Sequence, residues 1–203
     1  MGIKVQHNAD GSVERYKARI VAKGYSQIEG LDYDQTFAPV TRYDSLPLII
    51  AIATHLGLAT DQLHIKPAFL NGDLVEEVWM VPPPGIGLDG KILRLDNALY
   101  GLKQAPLAWF EKLSKALPKI GFICLPFDSC VIISADYKII VVVYVDDITT
   151  AGSRSDINGL IDHLLSRFKV TVKGSLKYIL GIDIKHTPEG MELSQYQYIT
   201  NIL

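Results

Sequence analysis

Seven apolar residues in a row, positions 139–145, run directly into two carboxylates, Asp146 and Asp147, and a further β-prone stretch follows at 148–151. So short a run of mostly β-branched residues reads as a strand. At seven residues it falls far short of the ~20 that a membrane-spanning helix needs, so no membrane partner is expected. The strand must reverse at Tyr144-Val145-Asp146-Asp147, and core packing cannot explain two adjacent carboxylates there. A turn tolerates Asp for its own sake, so a bare Asp-Asp would mean little. Held at the end of a rigid apolar strand, however, the pair offers hard oxygen ligands to a divalent cation in a water-accessible cleft.

The other bounds are simple. The chain has 203 residues, 48% of them apolar, enough for one domain or for two subdomains sharing a core, and too many for a disordered tail. Cys124 and Cys130 have no companion at metal-ligand spacing and read as reduced thiols. The N-terminus shows no apolar targeting segment, so a cytosolic or nuclear location is expected. Net charge is -2. Yet Arg15, Lys17, Arg19 and Lys23 cluster without an intervening acid, which suits either a solvated strand face or a phosphate-facing patch.

Local patterns predict the elements. A hairpin over residues 5–24 turns at Asn8-Ala9-Asp10-Gly11. Ser45 caps a helix with Pro47 in its first turn and Leu48, Ile49, Ile52, Ala53 and Leu56 at helical spacing, ending at Gly57. Residues 62–66 alternate as a strand, with Leu63 and Ile65 on one face and Gln62, His64 and Lys66 on the other. Strands are expected at 75–81 and 92–95, and a helix from Pro106 whose last turn Pro118 interrupts. Two consecutive hairpins cover 130–151, and an amphipathic helix capped by Ser153 or Ser155 carries Ile157, Leu160, Ile161, Leu164, Leu165 and Phe168. A strand at 170–173, a hairpin over 176–193 turned at Pro188-Glu189-Gly190, and a helical start at 196–203 complete the chain. This irregular alternation with antiparallel hairpins predicts an α+β fold, with helices on one face of the sheet.

Six ordered motifs now share a pattern: Lys17-Ala18-Arg19-Ile20-Val21-Ala22-Lys23-Gly24, Phe37-Ala38-Pro39-Val40, Ala68-Phe69-Leu70-Asn71-Gly72, Leu99-Tyr100-Gly101-Leu102-Lys103-Gln104-Ala105-Pro106, Tyr144-Val145-Asp146-Asp147 and Leu180-Gly181-Ile182. The series resembles the reverse transcriptase of copia-type LTR retrotransposons over nearly the whole chain. The resemblance implies a right-hand polymerase palm plus partial fingers, with residues 1–60 and 75–105 as fingers and 61–74 and 106–203 as palm, the thumb absent. It implies Asp146 and Asp147 as catalytic ligands of two Mg²⁺ ions, which activate a primer hydroxyl and stabilise the leaving pyrophosphate. It also implies nucleotide contacts from Lys17, Arg19, Phe69, Tyr100, Gly101, Lys103 and Gln104, with Phe69 as a steric gate against a ribose 2′-hydroxyl, and a primer grip at Leu180-Gly181. Template-primer of RNA or DNA and deoxynucleoside triphosphates would be the partners. Ribonuclease H and integrase domains would belong to a parent polyprotein, in cytoplasmic virus-like particles or the nucleus.

The sequence also departs from that family. Where the pattern before Ala68 is Asp-Val-Lys-Thr, this chain has His64-Ile65-Lys66-Pro67. Imidazole is a poor ligand for Mg²⁺ and supplies no negative charge. Asp61, three residues back on the strand, should face away from His64. Leu107 replaces an Arg, and Thr171-Val172-Lys173-Gly174-Ser175 replaces Lys-Asp-Leu-Gly-Glu. The expectation is a reverse-transcriptase domain with impaired polymerisation. The alternatives are a polymerase active in a larger context, helped by imidazole-tolerant Mn²⁺, and a non-catalytic nucleic-acid-binding remnant.

Overall fold

The computed structural model describes residues 2–7 and 12–202. In chain order the elements are β1 (Gly2–His7), β2 (Val13–Arg19), α1 (Ser45–His55), β3 (Ala59–Ile65), β4 (Trp79–Met80), β5 (Leu93–Arg94), α2 (Ala105–Ala116), β6 (Phe122–Leu125), β7 (Asp128–Ser134), β8 (Ile139–Tyr144), β9 (Asp147–Gly152), α3 (Arg154–Leu165), β10 (Val170–Ser175), β11 (Tyr178–Ile179), β12 (Ile182–Thr187), β13 (Gly190–Ser194) and α4 (Tyr196–Ile202). They form two compact units, Met1–Ala38 with Phe69–Leu113, and Pro39–Ala68 with Ser114–Leu203.

The second unit is built on a six-stranded antiparallel sheet ordered β10-β3-β9-β8-β7-β6. The apolar run of the sequence is its interior strand β8, bonded to β7 on one edge and β9 on the other, with Ile139, Val141, Val142 and Val143 all buried. Ile49 and Ala53 of α1 pack on Val131, Val142 and Ala151. Strand alternation puts Asp61, Leu63 and Thr150 on the opposite face, and there Arg154, the first residue of α3, pairs with the buried Asp61. Helices therefore cover both faces, correcting the single-face expectation. The reason was present in β8: a strand apolar at every position needs cover on both sides, whereas a strand with one wet face alternates. A three-stranded meander, β11-β12-β13, adds Ile179, Ile182 and Ile184 to Leu46 and Ile50 of α1.

Several local expectations change in detail. Asp44, not Ser45, is the N-cap of α1. The Ser45 hydroxyl instead donates to Asp128 Oδ2 at 2.6 Å, and that carboxylate also accepts from the Arg42 and Cys130 amides, each at 3.0 Å. Ser153 is the cap of α3, accepting from the Asp156 amide. Pro118 opens a separate 3₁₀ turn after α2 has ended, where its missing N–H and fixed φ are no penalty. The strand expected at 75–81 shrinks to β4, paired with β5, and Val75 and Val81 on either side of it are exposed. The hairpin expected over 176–193 has a second, tighter reversal at Leu180-Gly181.

In the first unit β1 pairs with β2 antiparallel. The Asn8-Ala9-Asp10-Gly11 turn lies outside the described residues. Val78, Ala98, Leu102 and Ala105 form a small apolar core, with Ala22, Phe69 and Leu99 packed against it.

Candidate functional site

The β8–β9 hairpin reverses through only two residues, Val145 and Asp146, leaving Tyr144 paired with Asp147. Val145 has φ 54°. With positive φ at its first central residue alone, this is the turn type that favours Gly at that position, and a β-branched residue there stores about 1–3 kcal/mol of strain. The Ile65 amide donates to the Asp146 carbonyl at 2.8 Å, fastening the turn to β3. In the β3–β9 ladder His64 stands opposite Asp147, so both side chains leave the same face.

His64 Nδ1 lies 3.3 Å from Asp147 Oδ1 and 3.9 Å from Asp146 Oδ2. Nδ1 is itself shielded from water and makes no hydrogen bond of good geometry. Among the described residues this is the one group of three whose ligand atoms all lie within 4.8 Å of one another. A fourth group intrudes: Lys173 Nζ sits 2.8 Å from Asp147 Oδ1. Asp61 does not join, being buried on the other face against Arg154.

Mg²⁺ requires a near-octahedral set of oxygens at about 2 Å, and a two-ion clamp needs carboxylates to share between ions. An imidazole nitrogen, the Asp146 carboxylate and one carboxylate held by an ammonium do not fit a pair of Mg²⁺ ions. The donor set suits a single borderline cation that accepts imidazole.

In the first unit, the Arg19 guanidinium stands 5.3 Å from the Tyr100 ring centroid, and the Phe69 and Tyr100 rings are 4.9 Å apart, inclined by 56°. Such contacts, a cation over an aromatic face and a tilted ring pair, hold three side chains in a column. The backbone beneath is as tight: the Ala22 amide donates to the Tyr100 carbonyl at 2.7 Å. Gly101 has φ 94°, and a Cβ there would lie 2.2 Å from the Ala22 carbonyl oxygen, so no other residue fits. Lys103 and Gln104 are occupied within the unit. Lys103 donates to Tyr33 Oη at 3.0 Å and Gln27 O at 3.3 Å. The buried Gln104 amide donates to the Asp32 carbonyl and accepts from Gln27. Lys17 lies on β2, but its side chain is outside the described residues. A separate concave space of about 640 Å³, lined by Val21, Lys23, Val78, Met80, Pro83 and Leu102 among others, contains none of the expected nucleotide contacts.

Leu180 (φ 53°) and Gly181 (φ 79°) form the two-residue turn joining β11 and β12. Two successive positive φ values match the twist of flanking strands, so this turn has a structural reason of its own. Three residues escaped the sequence reading. Asp128 gave no signal. Val145 gave none that its type would suggest. Lys173 was visible only as a departure from the family pattern.

No helix among the described residues is long and apolar enough to cross a membrane. Residues 3–203 match the family described as "Reverse transcriptase (RNA-dependent DNA polymerase)". The retrovirus-related Pol polyprotein from transposon RE1 of Arabidopsis thaliana is 42% identical over 98% of this chain, and that from transposon RE2 of the same plant is 40% identical over 97%, each match spanning 14% of the relative. The Pol polyprotein from transposon TNT 1-94 of Nicotiana tabacum is 36% identical over 98% of the chain and 16% of the relative. The chain thus spans under a fifth of these relatives, and it belongs to the reverse transcriptase family, in the copia-type branch.

Proposed function

We propose that this chain carries reverse-transcriptase palm and fingers elements and keeps the surfaces for template-primer and deoxynucleoside triphosphate, while its polymerisation is impaired. The observation that carries this reading is the register of β3 against β9, which sets His64 opposite Asp147 where the family pattern has a third carboxylate. The family uses Mg²⁺, and the donor set here suits it badly.

In this reading Arg19, with Lys17, draws the triphosphate, and Phe69 meets the sugar from beneath Tyr100 and Gly101. Lys103 and Gln104 then act at one remove, holding residues 27–33 in place. The Leu180-Gly181 turn is the primer grip. The relatives are Pol polyproteins, so ribonuclease H and integrase domains would share the parent chain, in a cytoplasmic particle.

A second reading, an enzyme working with Mn²⁺, has the imidazole in its favour. Primer extension on an RNA template, with Mg²⁺ and Mn²⁺ in parallel, decides between them. The proposal expects His64→Asp to extend in Mg²⁺ at least about tenfold faster than the natural sequence, a barrier change of about 1.4 kcal/mol. Extension by the natural sequence in Mg²⁺ as fast as by His64→Asp would overturn it, and efficient extension in Mn²⁺ alone would establish the second reading.

A further inference from the structure

Strand alternation from Thr171, which stands opposite His64, puts Lys173 on the face of His64 and Asp147. The β10–β3 ladder passes from Val172 opposite Leu63 to Gly174 opposite Gln62, leaving Lys173 with no partner position. That extra residue is a bulge, and Gly174, at φ 77°, supplies the left-handed backbone it needs. From this position on β10 the Lys173 ammonium lies 2.8 Å from Asp147 Oδ1. The same oxygen is the one nearest His64 Nδ1.

Stability does not account for the contact. Both side chains are partly open to water, 41% for Lys173 and 28% for Asp147, and pairs so exposed contribute little. Its effect falls on the charge of the site. A divalent ion coordinated at Asp147 would have to share that oxygen with a fixed positive charge a few ångströms away, and like charges at that range repel strongly.

We propose that Lys173 is a tethered counter-cation that holds Asp147 when no metal is bound, so that a divalent ion enters the His64–Asp146–Asp147 cluster only by displacing it. Lys173 thereby lowers the cation affinity of the site and makes the metal-free cluster a settled state. The proposal rests on the reading of these residues as the family's metal position, but its test needs no nucleic acid.

The experiment is a Mn²⁺ titration of the whole chain, following the free-ion paramagnetic resonance signal at fixed pH and ionic strength. Lys173→Met should bind Mn²⁺ about fivefold tighter than the natural sequence or better, since it removes the competing charge and leaves the ligands. Lys173→Arg keeps the charge and should stay within about twofold, as should Lys177→Met, which removes a neighbouring charge from another strand connection. Circular dichroism confirms that each variant is folded. Unchanged or weaker binding by Lys173→Met overturns the proposal, as does an equal gain from Lys177→Met, or no Mn²⁺ binding by any variant at millimolar ion. If the proposal fails while His64→Asp still gains primer extension, the impaired-polymerase reading stands without it.

Discussion

The aromatic column of the first unit and the carboxylate hairpin of the second take their geometry from different sources. In the first, side chains and backbone depend on each other: Tyr100 contacts both Arg19 and Phe69 while its carbonyl accepts from the Ala22 amide, and Gly101 is the only residue the crossing admits. In the second, the sheet ladder alone sets position. His64 faces Asp147 because β3 pairs with β9 in that register, and the ladder would hold with Asp, His or any other polar residue at the strand end. Chemistry at a ladder position can therefore change while the fold survives. Chemistry woven into a backbone crossing cannot change without damaging the unit. On the proposed function, that contrast would let a chain keep its binding surfaces while its metal set changes.

The largest effect is expected of Gly101→Ala. The new methyl would meet the Ala22 carbonyl and the backbone would be strained at its positive φ, so a loss of about 4 kcal/mol or more is expected. Both tryptophans, Trp79 and Trp109, belong to the first unit, so denaturant unfolding followed by their fluorescence reads this loss directly. An unchanged midpoint would mean that the crossing is as tolerant as the ladder.

Next comes Asp128→Ala in the second unit. It orphans two buried-side amide donors and the Ser45 hydroxyl, and should cost about 3 kcal/mol in far-ultraviolet circular dichroism melts. His64→Asp should cost far less by the same measure, because the register does not depend on that side chain. Equal destabilisation by the two would contradict the claim that site chemistry and fold are separable there.

Smallest is Arg19→Ala. It removes one cation–π contact of about 0.5–1 kcal/mol and one charge near the expected triphosphate, so deoxynucleoside triphosphate binding should weaken about threefold to fivefold, with the unfolding midpoint lowered only slightly. A shift in stability without a shift in affinity would make the column purely structural.

Much of this was legible in the sequence, for physical reasons. The run at 139–145 read as a strand, and the alternation at 62–66 put His64 on the face away from Leu63, Ile65 and Asp61, where the ladder sets it opposite Asp147. The two-sided cover of the sheet was legible too, in the failure of β8 to alternate, although the pattern suggested helices on one face only. Lys173 was not legible as a site residue, because only the long-range pairing of β10 with β3 brings it beside Asp147. Nor was the strain at Val145, since a β-branched residue argues against the positive φ it adopts. Asp128 lies far in sequence from Arg42 and Ser45, and only the folded chain brings those partners together.

The most direct test measures two quantities on one pair of proteins, the natural sequence and His64→Asp: template-primer affinity by fluorescence anisotropy across a salt series, and primer extension in Mg²⁺. The account predicts the same affinity, falling with salt to the same slope, and extension that rises only when the aspartate is restored. Affinity that changes along with extension, or extension by the natural sequence equal to that of His64→Asp, would contradict it.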